Sequence, residues 1–109
     1  NDGTGKGFDL SLINKLENKI EIPIILSGGA GSYEHVKEAF NNTKIDGIAI
    51  SSMFHYFLVE KDIKNIQGQK YQEGNLAFLK KNVQGFNGYA SSIINLKNFL
   101  MENNIPCKL

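Results

Sequence analysis

Three short segments carry residue types suited to holding an anion: Asp2-Gly3-Thr4, Ser27-Gly28-Gly29-Ala30-Gly31 and Ser51-Ser52. Glycine lets a backbone approach a bound group closely, and a helix starting just after such a turn supplies unpaired N–H groups and the positive end of its dipole. The chemistry predicted is phosphate binding through backbone amides, with the Ser52 hydroxyl as a further donor. A plain tight turn accounts for one of Gly28, Gly29 and Gly31 and leaves two unexplained. Asp2 is a candidate to accept a hydrogen bond from a substrate hydroxyl or to assist proton transfer; the alternative is a loop aspartate that caps its own turn. His55 stands among Phe54, Tyr56 and Phe57, where a packed, hydrogen-bonded imidazole is favoured over a catalytic one. His35 is read as solvated on a polar helix face. Cys107 has no second thiol to pair with, and no His, Cys or carboxylate cluster has metal-ligand spacing, so neither a metal nor a cofactor is expected.

The elements that must position these segments follow from periodicity. Leu10, Leu12, Ile13, Leu16 and Ile20 recur at spacings of two to four, which predicts a helix from Phe8 to about Lys19, capped by Asp9 or Ser11 and stopped by Pro23. The unbroken apolar run Ile22-Pro23-Ile24-Ile25-Leu26 predicts a strand buried on both faces, as in a parallel sheet. Ser32 then caps a second helix with His35 at its third position and Val36, Ala39 and Phe40 inward, ending at Asn41-Asn42-Thr43. A second buried strand, Gly47-Ile48-Ala49-Ile50, closes on Ser51-Ser52 and a short helix, Met53 to Leu58. This strand, turn, helix alternation is an α/β rhythm. From Glu60 to about Ser92 the chain turns Lys-, Asn- and Gln-rich with Gly68, Gly74, Gly85 and Gly88, which predicts an irregular excursion in which Asn75 to Lys81 has the pattern of two helical turns. Ile93, Ile94, Leu96, Phe99, Leu100 and Met101 make a last amphipathic helix that ends at Asn103-Asn104.

The 109 residues are 41% hydrophobic and hold 12 Lys+Arg against 11 Asp+Glu, a net charge of +1 scattered without blocks. Nucleic acid and anionic membrane are therefore poor partners, and no apolar run is long enough to span a bilayer. With one cysteine and no signal-peptide pattern, a cytoplasmic location is expected. The opening Asn1-Asp2-Gly3-Thr4-Gly5-Lys6-Gly7 reads as a loop that should follow a strand, so the sequence is expected to be a fragment. Two strands leave unpaired edges and too little core, so the segment alone is expected to be unfolded, aggregated or oligomeric.

In order and approximate spacing, Asp2-Gly3-Thr4 with Gly7-Phe8-Asp9, Pro23 to Gly31, and Ala49-Ile50-Ser51-Ser52-Met53-Phe54-His55-Tyr56 resemble the last third of the cyclase subunits of imidazole glycerol phosphate synthase. The resemblance covers residues 1 to 58 well and extends plausibly to the terminal helix. It implies the C-terminal portion, strands seven and eight with flanking helices, of a phosphate-binding (β/α)8 TIM barrel, with residues 1–109 one part of a single domain and an irregular insertion at about 59–92. It also implies an enzyme of histidine biosynthesis. Such an enzyme takes ammonia from a glutaminase partner and uses it on a phosphorylated aminoimidazole carboxamide ribonucleotide, giving imidazole glycerol phosphate. The family's two principal catalytic aspartates, on strands one and five, fall upstream of Asn1, so this segment alone is expected to be inactive. The carried-over site is one phosphate half-site: Asp2, in a supporting role, and Gly3 after strand six, Gly29 after strand seven, Ser51 and Ser52 after strand eight. Position 51 is more often alanine in the family; serine keeps the backbone N–H.

Three other readings remain. The 59–92 departure is expected to emerge on the active-site face and leaves open a paralogue delivering ammonia to a surface sugar to make an acetamidino group. The sister phosphoribosyl isomerase shares the Asp-Gly-Thr and Ser-Gly-Gly segments but typically has Pro-Asn at Phe8-Asp9 and Gly-Arg-Ala at Ser51-Ser52-Met53. A non-catalytic barrel retaining the phosphate site is the third.

Overall fold

The computed structural model describes residues 3–66, 88 and 90–108. Among the described residues six elements are formed, and the first five alternate in the α/β manner the sequence predicts. Helix α1 (Leu10–Leu16) opens at Asp9, whose carboxylate accepts from the Ser11 hydroxyl at 2.6 Å and from the Ser11 amide at 3.2 Å. Those bonds, the hydroxyl first, hold the exposed Asp9 carboxyl below its ordinary value of 3.8. The helix is shorter than the predicted Phe8 to Lys19. Ile13 is its only buried residue and Leu12 is 56% exposed, so little packing supports further turns of a short helix.

Strand β1 (Ile25–Ser27) lies parallel to β2 (Gly47–Ala49), with Ile25 opposite Gly47, Leu26 opposite Ile48 and Ser27 opposite Ala49. The predicted strand began at Ile22. Pro23 has no N–H to offer a ladder, and the Ile24 amide instead donates to the Asp46 carboxylate at 2.7 Å, while the Asp46 amide returns a bond to the Ile24 carbonyl at 2.9 Å. The expectation of burial on both faces is corrected. Leu26 is buried toward the helices, but Ile25, on the opposite face, is 62% exposed, because no described element covers that side.

Helix α2 (Tyr33–Asn42) is capped as predicted: Ser32 Oγ accepts from the His35 amide at 3.2 Å. Val36 and Ala39 are fully buried, and Thr43 ends the helix with its hydroxyl donating to the Ala39 carbonyl at 2.6 Å. Helix α3 (Ser52–Ile66) runs fifteen residues, well past the predicted stop at Leu58. Met53 and Val59 are buried on its inner side, and seven residues read as irregular from Glu60 onward belong to it. The helical turns predicted at Asn75 to Lys81 lie outside the described residues.

Helix α4 (Ile93–Glu102) has Ser92 as N-cap and ends in a Schellman motif. Asn104 takes a left-handed φ of 64°, its amide donates to the Met101 carbonyl at 3.1 Å, and the Ile105 amide donates to the Leu100 carbonyl at 2.9 Å. Ile105 is buried in the same cluster as Leu100, the apolar contact that usually accompanies this motif.

Two apolar clusters lie on the helix side of the sheet. Ile13, Leu26, Ala39 and Ile45 form one; Val36, Leu96, Leu100 and Ile105 form the other. Phe8, Phe40 and Ile48 pack against both, which joins α1, α2, α4 and the sheet into one layer. At about 1.5–3 kcal/mol for each large aliphatic side chain fully buried, these contacts are the principal favourable term holding the two turns in place. Ser91 adds a polar pin: its amide donates to the Met53 carbonyl at 3.2 Å and its hydroxyl is hydrogen-bonded to the Tyr33 hydroxyl. The entry to α4 is thereby tied to the first turns of both α2 and α3. Among the described residues no helix is long and apolar enough to cross a membrane.

Candidate functional site

Strand direction does the first part of the positioning. Because β1 and β2 are parallel, their C-terminal ends lie side by side, and the turns that leave them open at one end of the sheet. A third loop, from Gly3 to Gly7, folds over the first of these turns: the Gly7 amide donates to the Gly29 carbonyl at 2.7 Å. The three segments enclose a cavity of about 160 Å³, lined among others by Gly3, Ser27, Gly28, Gly29, Ser51 and Ser52. Gly3, Gly29, Ser51 and Ser52, four residues singled out from the sequence, are thus brought together. Asp2, the fifth, lies outside the described residues.

Each wall has its own physical cause. Gly28 and Gly29 have φ of 89° and 98°, a region where a side chain is strained, so the turn after β1 depends on glycine at both positions. Gly3, at φ 73°, stands across from Ser52; a Cβ placed on it would lie 3.8 Å from the Ser52 hydroxyl. At the start of α3 the Phe54 and His55 amides both donate to the Ser51 carbonyl, at 3.1 and 2.9 Å. The Ser52 and Met53 amides precede that first helical bond, and no side chain among the described residues caps them, so the positive end of α3 is open beside the Ser52 hydroxyl.

Gly31 is different, and here the sequence reading is corrected. Its φ is unremarkable and it does not line the cavity. A Cβ on it would fall 1.7 Å from the Gly5 carbonyl oxygen, so Gly31 is glycine because the first loop's backbone lies against it. His35 is also corrected. It is half-buried, not solvated, and its Nδ1 accepts from the Gly31 amide at 3.2 Å. His55 departs from both readings: it is exposed, stacked edge-on against Tyr56 with ring centroids 5.2 Å apart, and lies off the cavity. Ser27 belongs to a segment singled out from the sequence, but Ala49, which also lines the cavity, was not nominated as a site residue. They share the sheet face of Ile25 in the period-two alternation, and that period was the available signal.

Among the described residues no three His, Cys, Asp or Glu side chains gather at ligating distance. The arrangement offers backbone amides, hydroxyls and a helix dipole, a donor set for an oxyanion.

The matches with known proteins fall on this part of the chain. Residues 1–60, which hold all three segments and both strands, match the family described as histidine biosynthesis protein. The chain belongs to that family. The family fold is the (β/α)8 barrel, of which the two parallel strands and their helices form an α/β part. The family member is 41% identical over 70 residues to imidazole glycerol phosphate synthase subunit HisF of Buchnera aphidicola subsp. Schizaphis graminum, covering 64% of this chain and 25% of that one. It is 49% identical over 55 residues to the same subunit of Streptococcus mutans serotype c, covering 50% and 22%, and 41% identical over 70 residues to that of Saccharolobus solfataricus, covering 63% and 28%. The chain spans about a quarter of the length of these curated relatives.

Proposed function

We propose that this chain supplies strands seven and eight of a phosphate-binding (β/α)8 barrel, and that the intact protein is the cyclase subunit of imidazole glycerol phosphate synthase. In this reading it works with a glutaminase subunit in the cytoplasm. Ammonia from that partner reacts with a phosphorylated aminoimidazole carboxamide ribonucleotide to give imidazole glycerol phosphate. The observation that carries the reading is the single cavity shared by Gly3, Gly29, Ser51 and Ser52 at the C-terminal ends of two parallel strands. Barrels commonly bind a substrate phosphate there, after their last two strands. Its open wall holds amides and hydroxyls and is suited to one phosphate of the substrate. Asp2 assists hydroxyl binding in this reading, and the principal acid-base groups come from other strands. The bare face around Ile25 fits the same assignment, since in a closed barrel that face is covered by side chains of the remaining strands.

The test places a like charge at the proposed phosphate. At an effective dielectric of ~20, two unit charges ~4 Å apart repel by roughly 4 kcal/mol, and rearrangement reduces this to about 1.5–3 kcal/mol. Ser52→Asp in the intact protein is therefore expected to weaken binding of the phosphorylated substrate by roughly ten- to a hundredfold. Ser32→Asp is the control: Ser32 caps the neighbouring helix away from the cavity, and aspartate caps as well as serine. Equal affinities for the two folded variants would put the phosphate elsewhere.

A further inference from the structure

The half-buried imidazole of His35 meets both glycine loops that wall the cavity, yet it does not reach the cavity itself. Nδ1 accepts the Gly31 amide proton at 3.2 Å, across one turn of chain that includes the cap Ser32. One edge of the ring lies against Gly7: a Cβ on that glycine would meet Nε2, Cδ2 and Cε1 at 3.4 to 3.6 Å. Between these two contacts the loops are in backbone contact, Gly31 against Gly5 and the Gly7 amide on the Gly29 carbonyl at 2.7 Å. His35 is anchored from behind, because its own amide is held by the Ser32 hydroxyl in a helix whose Val36 is 1% exposed.

We infer that His35 is a positioning residue for anion binding: a rigid helix uses its Nδ1 to set the Gly28–Gly31 turn and its ring to seat the Gly3–Gly7 loop. The inference rests on the phosphate-site reading above. An accepting Nδ1 leaves the ring proton on Nε2, so what the site requires is an acceptor at the Nδ1 position and a flat group against Gly7. Gly28 and Gly29 both have positive φ and have access to more backbone conformations than any other residue type. Without the Gly31 anchor the turn keeps its sequence and loses its single conformation, so the anion must then order the turn on binding.

The test measures affinity of the intact protein for inorganic phosphate, alongside its thermal midpoint, in four variants. His35→Leu keeps bulk without the acceptor and is expected to bind phosphate about tenfold more weakly, the scale of one neutral hydrogen bond. His35→Asn places its carbonyl oxygen at the Nδ1 position but leaves the Gly7 contact empty, and is expected to recover part of the loss, binding about threefold more tightly than His35→Leu, whereas His35→Gln, whose carbonyl reaches the Nε2 position, is not. A purely structural role would lower the midpoint of the three variants and leave the affinity of the folded protein unchanged, and that result overturns the inference. So does equal weakening in Asn and Gln. If the Leu variant fails to fold, the Asn and Gln pair decides alone. Ser52→Asp, the fourth variant, separates the two claims: no effect there sinks the phosphate site itself, while a loss there with full affinity in His35→Leu sinks only the role of His35.

Discussion

The two turns that leave the sheet wall one cavity by opposite means. After β1 the chain uses glycines and then satisfies its amides internally: Gly31 donates to His35, and His35 donates to Ser32. After β2 it uses two serines and leaves the first amides of α3 uncapped by any described side chain. The first turn is thus a shaped wall and the second an electrostatic one. A phosphate site needs both, because open amides give affinity only where the surrounding backbone is already ordered. Glycine content alone would have ranked the first turn as the stronger anion binder.

Substitutions in the first turn should be the most damaging. Gly31→Ala drives a Cβ to 1.7 Å from the Gly5 oxygen, backbone against backbone with no side chain to swing aside. A cost of about 3 kcal/mol or more is expected, at the upper end of overpacking penalties, read as a shift in denaturation midpoint. Gly47→Ala is the contrast: its Cβ meets only the tip of the Ile25 side chain at 2.9 Å, a flexible group and not backbone, so a smaller cost, about 1–2 kcal/mol in the intact protein, is expected. Similar losses in the two variants would mean that the loop contact at Gly31 is not rigid.

Ser52→Asp comes next and acts on binding, with little effect on stability. Removing the cap that orders the first turn, by Ser32→Ala, should cost about 1 kcal/mol of stability. Its effect on phosphate affinity should be smaller than that of Ser52→Asp; the reverse order would make the capped helix, not the open one, the anion-facing end.

The smallest effect lies at the far end of the layer, where α1 starts. Asp9 has a carboxyl held below its ordinary value by Ser11, so its contribution is present above pH 3.8 and is lost as pH falls through the lower folded value. Asp9→Asn should therefore remove a slight acid sensitivity below about pH 4 and leave phosphate affinity at neutral pH unchanged. A change in affinity would show that α1 communicates with the cavity.

Much of the fold was legible because it rests on local chemistry. Ser32 caps α2, Asn104 closes α4 in a left-handed conformation, and the 3.6-residue period of Val36, Ala39 and Phe40 or of Leu96 and Leu100 selects the inner faces. Gly3, Gly29, Ser51 and Ser52 could be nominated for the same reason, since turns after parallel strands must open at one end of a sheet. What the residues could not disclose on their own were contacts between segments far apart in the chain. Gly31 is constrained by Gly5, His35 by its place between two loops, and α3 extends to Ile66 with Ser91 returning to pin its first turn. The apolar run at Ile22 to Leu26 shows the limit most plainly. Hydrophobicity marks a residue as one that gains by burial, but which face is covered depends on the elements that tertiary structure brings against it.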